Sequence, residues 1–352
     1  MENFSIGVRE VELLALGAAF LGTGGGGDPL VGKLMLRRYM EGKGSIEIVD
    51  GSSGKDEFVL GSAMMGAPIV MIEKVPGGGE AVKALKVYSQ IAGRKVDFIT
   101  PLEIGGINSI IPLIVSIQTG IPVLDGDGMG RAFPELQMTT FYADGIPVSP
   151  VVVFDERGNV SVVQGVDGYW SEKIARVITV RYGGSAYIAL HGMELSEYSR
   201  SAVLGSLSTA IQVGERLASK NIDSLRDLLH CVHLFKGKVI EVYRRVERGF
   251  SKGYVVLEGA DQWKGKTMRV DFQNEFLIAK EGDKIVATVP DLISFVDAYT
   301  LTPVTTDRVR YGQRLVVLGT PSHPKLRSTE MLKYVSPRAF GYDVNFTPLG
   351  AS

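Results

Sequence analysis

The segment that begins at Asp125 carries the densest group of chemically active side chains in this chain. Its sequence is DGDGMGRAFPELQM, so Asp125 and Asp127 are separated by one glycine, and Arg131 and Glu135 follow shortly after. The apolar residues 121–124 precede it and are typical of a short buried strand. Ligands bind beyond the carboxyl ends of strands in open α/β sheets. A carboxylate pair at such a place can bind a cation, position a water molecule or act as acid and base.

A glycine-rich segment between two predicted helices, GTGGGGDP at 22–29, is a second candidate. Glycine-rich loops that open helices present backbone N–H groups to anions. The Lys-Ser/Thr pair of a phosphate loop is absent and a helix precedes the glycines, so we expect no bound nucleotide. We predict instead that the backbone of Gly25, Gly26 and Gly27 contacts a substrate carboxylate or a developing negative charge, and we assign Asp28 to substrate binding beside them. The alternative is a tight turn in which glycine permits close packing of the helices.

Other polar side chains are candidates because of the residues around them. Asn108 follows two glycines and either donates its amide to a substrate carbonyl or caps the helix expected at 109–118. His191 follows a strand-like run and is a candidate catalytic acid, with a structural role as the alternative. Asn274 and Glu275 follow a predicted strand and either reach a cleft between domains or close a turn.

Metal ligation is left open by the sequence. The carboxylates of the segment from Asp125 alternate as ligands of hard cations do, but they miss the full calcium-loop pattern. His230 and His233 lie three residues apart, which suits two ligands on one face, but their apolar neighbours favour a structural turn. Cys231 between them is expected to be a buried, inert thiol. A divalent metal therefore stays an open question, and no other cofactor is assigned.

The bulk composition excludes several classes of protein. The 352 residues include 38 Lys and Arg against 39 Asp and Glu, so neither nucleic acid nor an anionic membrane is an expected partner. A single cysteine excludes an intrachain disulfide, and the first residues lack the pattern of a secretion signal. No apolar run approaches the roughly 20 residues that span a bilayer. We expect a cytoplasmic protein that binds a small-molecule substrate and forms a homo-oligomer.

The order of predicted elements indicates an α/β fold in two domains, as is usual for a chain of this length. In residues 1–165, helical and strand-like patterns alternate, which predicts an N-terminal α/β domain with a largely parallel or mixed sheet. In 166–352, helices are predicted over 170–233, including one long helix at 196–220, and short β runs follow over 235–350. The second domain is therefore expected to be α+β and to end in a β-rich subdomain.

Segments along nearly the whole chain form a pattern that is specific in its order and spacing. They are GTGGGGDP at 22–29, GGINS at 105–109, DGDGMGRAFPELQM at 125–138, LFKGKV at 234–239, FQNE at 272–275, TVPDLI at 288–293, TTDRVRYGQR at 305–314 and PRAFGYD at 337–343. In these segments the sequence resembles the family long catalogued as DUF917 and named for S-methyl thiohydantoin desulfurase. The resemblance implies an N-terminal α/β domain and a C-terminal domain with much β structure.

The resemblance also implies an activity, namely hydrolysis at C2 of an S-methylated thiohydantoin ring, which releases methanethiol and leaves a hydantoin. That reaction needs a base to activate water and an acid to protonate the leaving group. Our hypothesis assigns the base to Asp125 or Asp127 and the acid to Glu135 or His191.

Substrate binding is assigned on the same basis. Gly25 to Gly27 and Asn108 are expected to donate hydrogen bonds to the ring, and Arg131 to hold an anionic substrate tail. Two alternatives remain open. Relatives are often encoded beside, or fused to, hydantoinase/oxoprolinase proteins, which implies a non-catalytic partner subunit of an ATP-dependent enzyme of that kind. In the other alternative the chain binds a small anion and breaks no bond.

Overall fold

The computed structural model describes residues 3–27, 29–66, 70 and 79–349, so the strand predicted over 68–72 falls almost entirely outside it. The helices of these residues are α1 (Val8–Leu21), α2 (Pro29–Met40), α3 (Gly79–Ala92), α4 (Ile111–Thr119), α5 (Thr140–Ala143), α6 (Gly168–Arg181), α7 (Leu195–Ser201), α8 (Ser206–Ala218), α9 (Ile222–Leu229) and α10 (Thr329–Val335). The strands are β1 (Phe4–Ile6), β2 (Ile46–Val49), β3 (Phe58–Gly66), β4 (Phe98–Pro101), β5 (Val123–Leu124), β6 (Gly126–Asp127), β7 (Val151–Phe154), β8 (Val160–Val163), β9 (Ser185–Glu194), β10 (Val203–Leu204), β11 (Val232–Glu247), β12 (Phe250–Gly259), β13 (Thr267–Gln273), β14 (Glu275–Glu281), β15 (Lys284–Thr288), β16 (Leu292–Asp297) and β17 (Arg314–Thr320).

The first sheet is mixed, which confirms the α/β class. Within the described residues its eight strands lie in the order β1-β2-β5-β4-β3-β9-β7-β8. β2, β5, β4 and β3 are parallel to one another, whereas β9, β7 and β8 continue the sheet antiparallel. Successive side chains of β7 point to opposite faces, so Val152 joins the core beneath α3 and Val153 joins the core beneath α6. Helices therefore cover both faces of the sheet.

Both halves of the chain contribute strands to the first sheet. β9 follows residue 165 and pairs with β3 and β7 in the middle of the first sheet. α8 packs along α1 at close range, since a methyl group added at Gly17 would overlap the Ala210 carbonyl, and one at Gly214 would overlap the Leu13 carbonyl. The expected boundary at 165/166 therefore divides the sequence into two segments, and both segments contribute strands to the first sheet.

The second sheet is antiparallel and curled, as the β runs after residue 235 predict. Its strands lie in the order β15-β14-β13-β12-β11-β17-β16 among the residues that the structure describes. The sheet encloses a core of aromatic and branched side chains, including Phe235, Val255, Phe276 and Phe295. The rings of Phe276 and Phe295 stack with centroids 4.1 Å apart. β14 begins at Glu275, so the carboxyl group of Glu275 lies where the second sheet meets the first sheet.

The prediction of one long helix at 196–220 is wrong. The chain forms α7 and α8 there, and the two residues of β10 lie between them. Val203 and Leu204 pair with Asp127 and Gly126, and the following Gly205 takes a left-handed conformation with φ of +75°. The tertiary pairing overrides the local helical pattern. None of the described helices is long and apolar enough to cross a membrane.

Candidate active site

A cleft where the two sheets meet brings acidic side chains from both halves of the chain together. Its polar lining consists of Glu103, Asn108, Glu135, Arg176, Asn274 and Glu275, and its empty space amounts to about 480 Å³, adjoining solvent included. Gly26 and Gly27 also line it, together with apolar side chains such as Met64 and Phe133. We call this site the carboxylate cleft. Burial and polar side chains that converge in one cavity are typical of a binding site.

Glu103 lies just beyond β4, at the carboxyl end of a parallel strand, and is almost fully buried. Its Oε1 accepts a hydrogen bond from Asn108 Nδ2 at 2.7 Å, and its Oε2 accepts one from the Phe133 amide at 3.1 Å. Burial raises the pKa of Glu103 to about 7, and the nearby Asp127 charge adds to the rise, while the two hydrogen bonds oppose it. Glu103 therefore changes its charge near neutral pH, which suits a general base.

Glu275 faces the same cleft from the second sheet and is 2 % exposed. Burial raises the pKa of its carboxyl well above the usual value, and the charge of Glu103 adds to the rise while Arg131 opposes it. Among the described residues its Oε2 has no hydrogen-bond partner. A buried carboxyl oxygen without a partner is most stable in the protonated form. Burial therefore favours the protonated form of Glu275, which is able to donate a proton.

The glycine-rich segment packs against this pair. A methyl group added at Gly25 would overlap the Glu275 carboxyl, so only glycine fits there. Gly26 has φ of +75° and lies against the backbone of Gly105, where a side chain has no room. The Thr23 carbonyl accepts a hydrogen bond from the Phe276 amide at 2.8 Å. The run therefore forms a tight turn and also a wall of the cleft, while Asp28 lies outside the described residues.

Arg131 is completely buried behind the carboxylates, and protein acceptors occupy its guanidinium. The hydrogen bonds reach the Thr23 hydroxyl at 2.6 Å and four backbone carbonyls at 2.9 to 3.2 Å, those of Ala132, Phe276, Pro290 and Asp291. A guanidinium has five N–H groups, so none is left for a substrate anion. The structure thus contradicts the expected substrate-tail contact, and Arg131 instead connects the glycine-rich segment to the second sheet.

Asp125 and Asp127, the predicted bases, lie outside the lining of the cleft. Oδ1 of Asp125 accepts hydrogen bonds from the Leu207 and Ser208 amides, and so caps the start of α8. Oδ2 of Asp127 accepts from the amides of Ile104, Met129 and Gly130 at 2.8 to 3.1 Å. Burial raises the pKa of Asp127 to about 7 against these bonds. Asp127 thereby holds the two loops that present Glu103 and the amide bonded to it.

Asn108 lines the cleft, but it does not cap a helix. Its Oδ1 accepts from the Met64 amide at 2.8 Å, and its Nδ2 donates to the Met64 carbonyl and to Glu103. Both donors are thus in use, and the side chain fixes Glu103 against β3.

His191 lies within β9, fully buried, with φ of +51° and Nε2 at 3.3 Å from Thr139 Oγ1. Burial lowers the pKa of His191 to about 4, and the residue does not reach the cleft lining.

Glu135 is the one predicted catalytic residue that lines the cleft. Burial and the charge of Glu172 raise its pKa, and the positive charges of Arg176 and Lys252 oppose the rise. Arg176 is held by an ion pair with Glu172 at 2.7 Å and donates to the Pro134 carbonyl at 2.7 Å. The Glu172 carboxylate also accepts from the Leu136 amide. This buried pair fixes the loop that carries Glu135 at the mouth of the cleft.

The histidines at 230 and 233 do not form a metal centre in the described part of the chain. No group of three or more His, Cys, Asp or Glu side chains in those residues is arranged to hold a metal ion. His230 ends α9 in a left-handed conformation, with φ of +52°. Cys231 is buried, and burial raises the pKa of its thiol to about 11, which agrees with the inert thiol expected.

Sequence reasoning did not assign Glu103, Glu172 or Arg176. Glu103 had a usable signal, because it follows an apolar strand and precedes the glycine pair of the GGINS segment. Glu172 and Arg176 are spaced four apart in a helix, the spacing of an ion pair on one face. Their burial against the loop at 134–137 depends on the tertiary fold. Asn274 and Glu275 reach the cleft, and Asn274 also turns the chain between β13 and β14 with φ of +57°.

Comparison with known proteins covers nearly the whole chain. A family model described as "S-Me-THD-like, N-terminal domain" matches residues 9–165, and one described as "S-Me-THD-like, C-terminal domain" matches residues 166–349. The fold is similar to that of a protein from Chromobacterium violaceum solved by X-ray crystallography, with a TM-score of 0.83. The two are 23 % identical over 98 % of this chain and 100 % of that chain, so the likeness concerns the fold alone. No curated protein matches the sequence.

Proposed function

Because the chain belongs to the S-Me-THD-like family, we propose that the carboxylate cleft hydrolyses the exocyclic C–S bond of an S-methyl thiohydantoin. The products are methanethiol and the corresponding hydantoin. The observation that carries the proposal is the pair Glu103 and Glu275, two buried carboxyls in one cleft whose pKa values are both raised. Two such groups that influence each other's charge ionise one after the other, which leaves one base and one acid near neutral pH.

Glu103 is the general base in this proposal. Its carboxylate takes a proton from water as the water oxygen bonds to C2 of the ring. The C2=N double bond opens, and the ring nitrogen receives the proton of Glu275. A pKa of about 7 places Glu103 where a base is both ionised and strong enough to act at neutral pH.

The second step returns both carboxyls to their starting states. The C–S bond breaks, the leaving sulfur takes the proton now held by Glu103, and the Glu275 carboxylate removes the proton of the C2 hydroxyl. One proton of the water thus ends on methanethiol and the other restores Glu275, whose original proton is on the ring nitrogen, and the water oxygen becomes the C2 carbonyl. The buried setting of both carboxyls strengthens each electrostatic contact, because little water competes.

The surrounding residues serve as support for this pair. Gly26 and Gly27 line the cleft, and in this proposal their backbone N–H groups donate to the carbonyl oxygen of the ring. Asp127 and Asn108 act as positioning residues through their bonds to the Glu103 loop and to Glu103 itself. This division replaces our earlier assignment of the base to Asp125 or Asp127. Every proton transfer in this proposal uses a protein side chain. Whether the reaction requires a divalent metal is tested in the assay below.

The test is release of methanethiol by the purified protein from 5-substituted S-methyl thiohydantoins, with a chelator in one arm and added divalent metal in another. We expect Glu103→Gln and Glu275→Gln each to lower kcat/KM by about 10² to 10⁴, the range typical of acid–base groups. Glu258→Gln, on the exposed side of β12, is the matched control and should leave the rate unchanged. Full activity in either cleft variant contradicts the assignment, and loss of activity in the chelator arm shows that a metal takes part.

A further inference from the structure

A second cavity lies on the second sheet beside the carboxylate cleft. Its walls are strands β11, β12 and β13 and the segment around Tyr342, and its empty space is about 760 Å³, adjoining solvent included. Tyr243 and Tyr254 stack there with ring centroids 5.5 Å apart. The guanidinium of Arg269 lies 3.7 Å from the centre of the Tyr254 ring. We call this cavity the tyrosine groove.

The tyrosine groove and the carboxylate cleft adjoin. Gln273 lines the groove, and the next two residues of the chain, Asn274 and Glu275, line the cleft. Lys252 pairs with Gln273 across β12 and β13, and its charge acts on Glu135, which lines the cleft. A ring bound at Glu275 would therefore lie next to residues that line the groove.

The charges in the groove are unequally compensated. Arg269 forms an ion pair with Asp271 at 2.7 Å, and Arg245 forms one with Glu247 at 2.8 Å. Lys252 also lines the groove, and within the described residues it has neither an ion-pair partner nor a hydrogen-bonded acceptor. The residue is partly buried. A cation that forms neither an ion pair nor a hydrogen bond within the protein favours an anionic ligand.

We propose that the tyrosine groove is the subsite for the ring's 5-substituent and that it selects substituents ending in a carboxylate, with Lys252 as the specificity-determining residue. The tyrosine rings provide a flat apolar surface for the methylene stem, and the Lys252 ammonium binds the terminal carboxylate. This subsite rests on the proposed function for the identity of the ring. The binding chemistry of the groove itself does not depend on turnover.

The experiment compares two hydantoins of equal size, one with a 5-carboxyethyl group and one with a 5-carboxamidoethyl group. Their binding to the full-length protein is measured by calorimetry, since a hydantoin is the product and needs no catalysis to bind. We expect the carboxylate ligand to bind about tenfold more tightly, as for one charge-assisted hydrogen bond. Lys252→Met should abolish that preference and leave binding of the carboxamide unchanged. Lys264→Met, at an exposed lysine that does not line the groove, should keep the preference.

Two outcomes overturn the subsite, namely equal binding of the two ligands by the unaltered protein, or a preference that survives in Lys252→Met. Thermal unfolding of the variant checks that its fold is retained. The corresponding S-methyl thiohydantoins separate this proposal from the reaction itself. Selective binding of the carboxylate hydantoin without methanethiol release would retain the subsite and refute the hydrolysis. Methanethiol release without charge selectivity would do the reverse.

Discussion

Replacement of Arg131 by Met tests whether one buried guanidinium holds the two halves of the site together. The side chain is fully buried and donates to Thr23 Oγ1 and to four backbone carbonyls. At roughly 1.5–3 kcal/mol for each hydrogen bond to a charged group, five bonds exceed what a typical domain can lose. Removing the charge also removes its desolvation cost, and Met restores apolar packing. The net loss should therefore be about 3–5 kcal/mol, as for other disrupted buried ionic groups.

The assay for Arg131→Met is urea unfolding followed by the fluorescence of Trp170 and Trp263. Arg157→Met is the control, because its side chain is 80 % exposed and should change the free energy of unfolding by less than about 0.5 kcal/mol. The variant should also impair catalysis, since the Arg131 charge opposes the raised pKa values of Glu103 and Glu275. A decrease of less than about 1 kcal/mol in the free energy of unfolding would refute the reasoning, because it would mean that other groups donate to the four carbonyls in the variant.

The remaining predictions concern Glu103 and Gly25. The pKa of Glu103 is about 7 in the folded chain against a usual value of 4.5, so its contribution to stability is fully present below pH 4.5 and is lost as the pH rises through about 7. Between pH 5 and pH 8 the free energy of unfolding should fall more in the unaltered protein than in Glu103→Gln, and equal slopes would contradict the raised pKa. Gly25→Ala should destabilise the fold by about 1–3 kcal/mol and lower kcat/KM, because its methyl group would displace the Glu275 carboxyl. Gly79→Ala, where a methyl group meets none of the described residues, is the matched control, and equal effects in the two variants would show that the overlap is relieved at no cost.

Local patterns were sufficient for much of the fold. α1 and α2 flank the glycine-rich segment as expected, and α6 lies at the start of the helical stretch predicted over 170–233. The β runs after residue 235 predicted the second sheet, because alternation and turn residues are short-range signals. The helix expected at 196–220 failed for a long-range reason. Val203 and Leu204 pair with residues nearly 80 positions earlier in the chain, and no local propensity records that contact.

The acid and base assignments depended on information that a single segment does not contain. The spacing of Asp125 and Asp127 predicted a pair of catalytic carboxylates, yet each carboxylate is used to hold backbone amides. Glu103 and Glu275 are 172 positions apart in the sequence, and only the fold places them in one cleft. Their pKa values follow from burial and from neighbouring charges, both of which are properties of the folded chain.

By itself, the sequence determined the family, the α/β class and the requirement for glycine beside the site, because these are written in motifs and local steric demands. Tertiary structure alone decided which polar groups remain free to react. Arg131 illustrates the difference. It was expected to bind a substrate anion, but its guanidinium N–H groups donate to Thr23 and to backbone carbonyls from distant segments. A side chain's chemistry is set by its type, but its availability is set by the partners that folding brings to it.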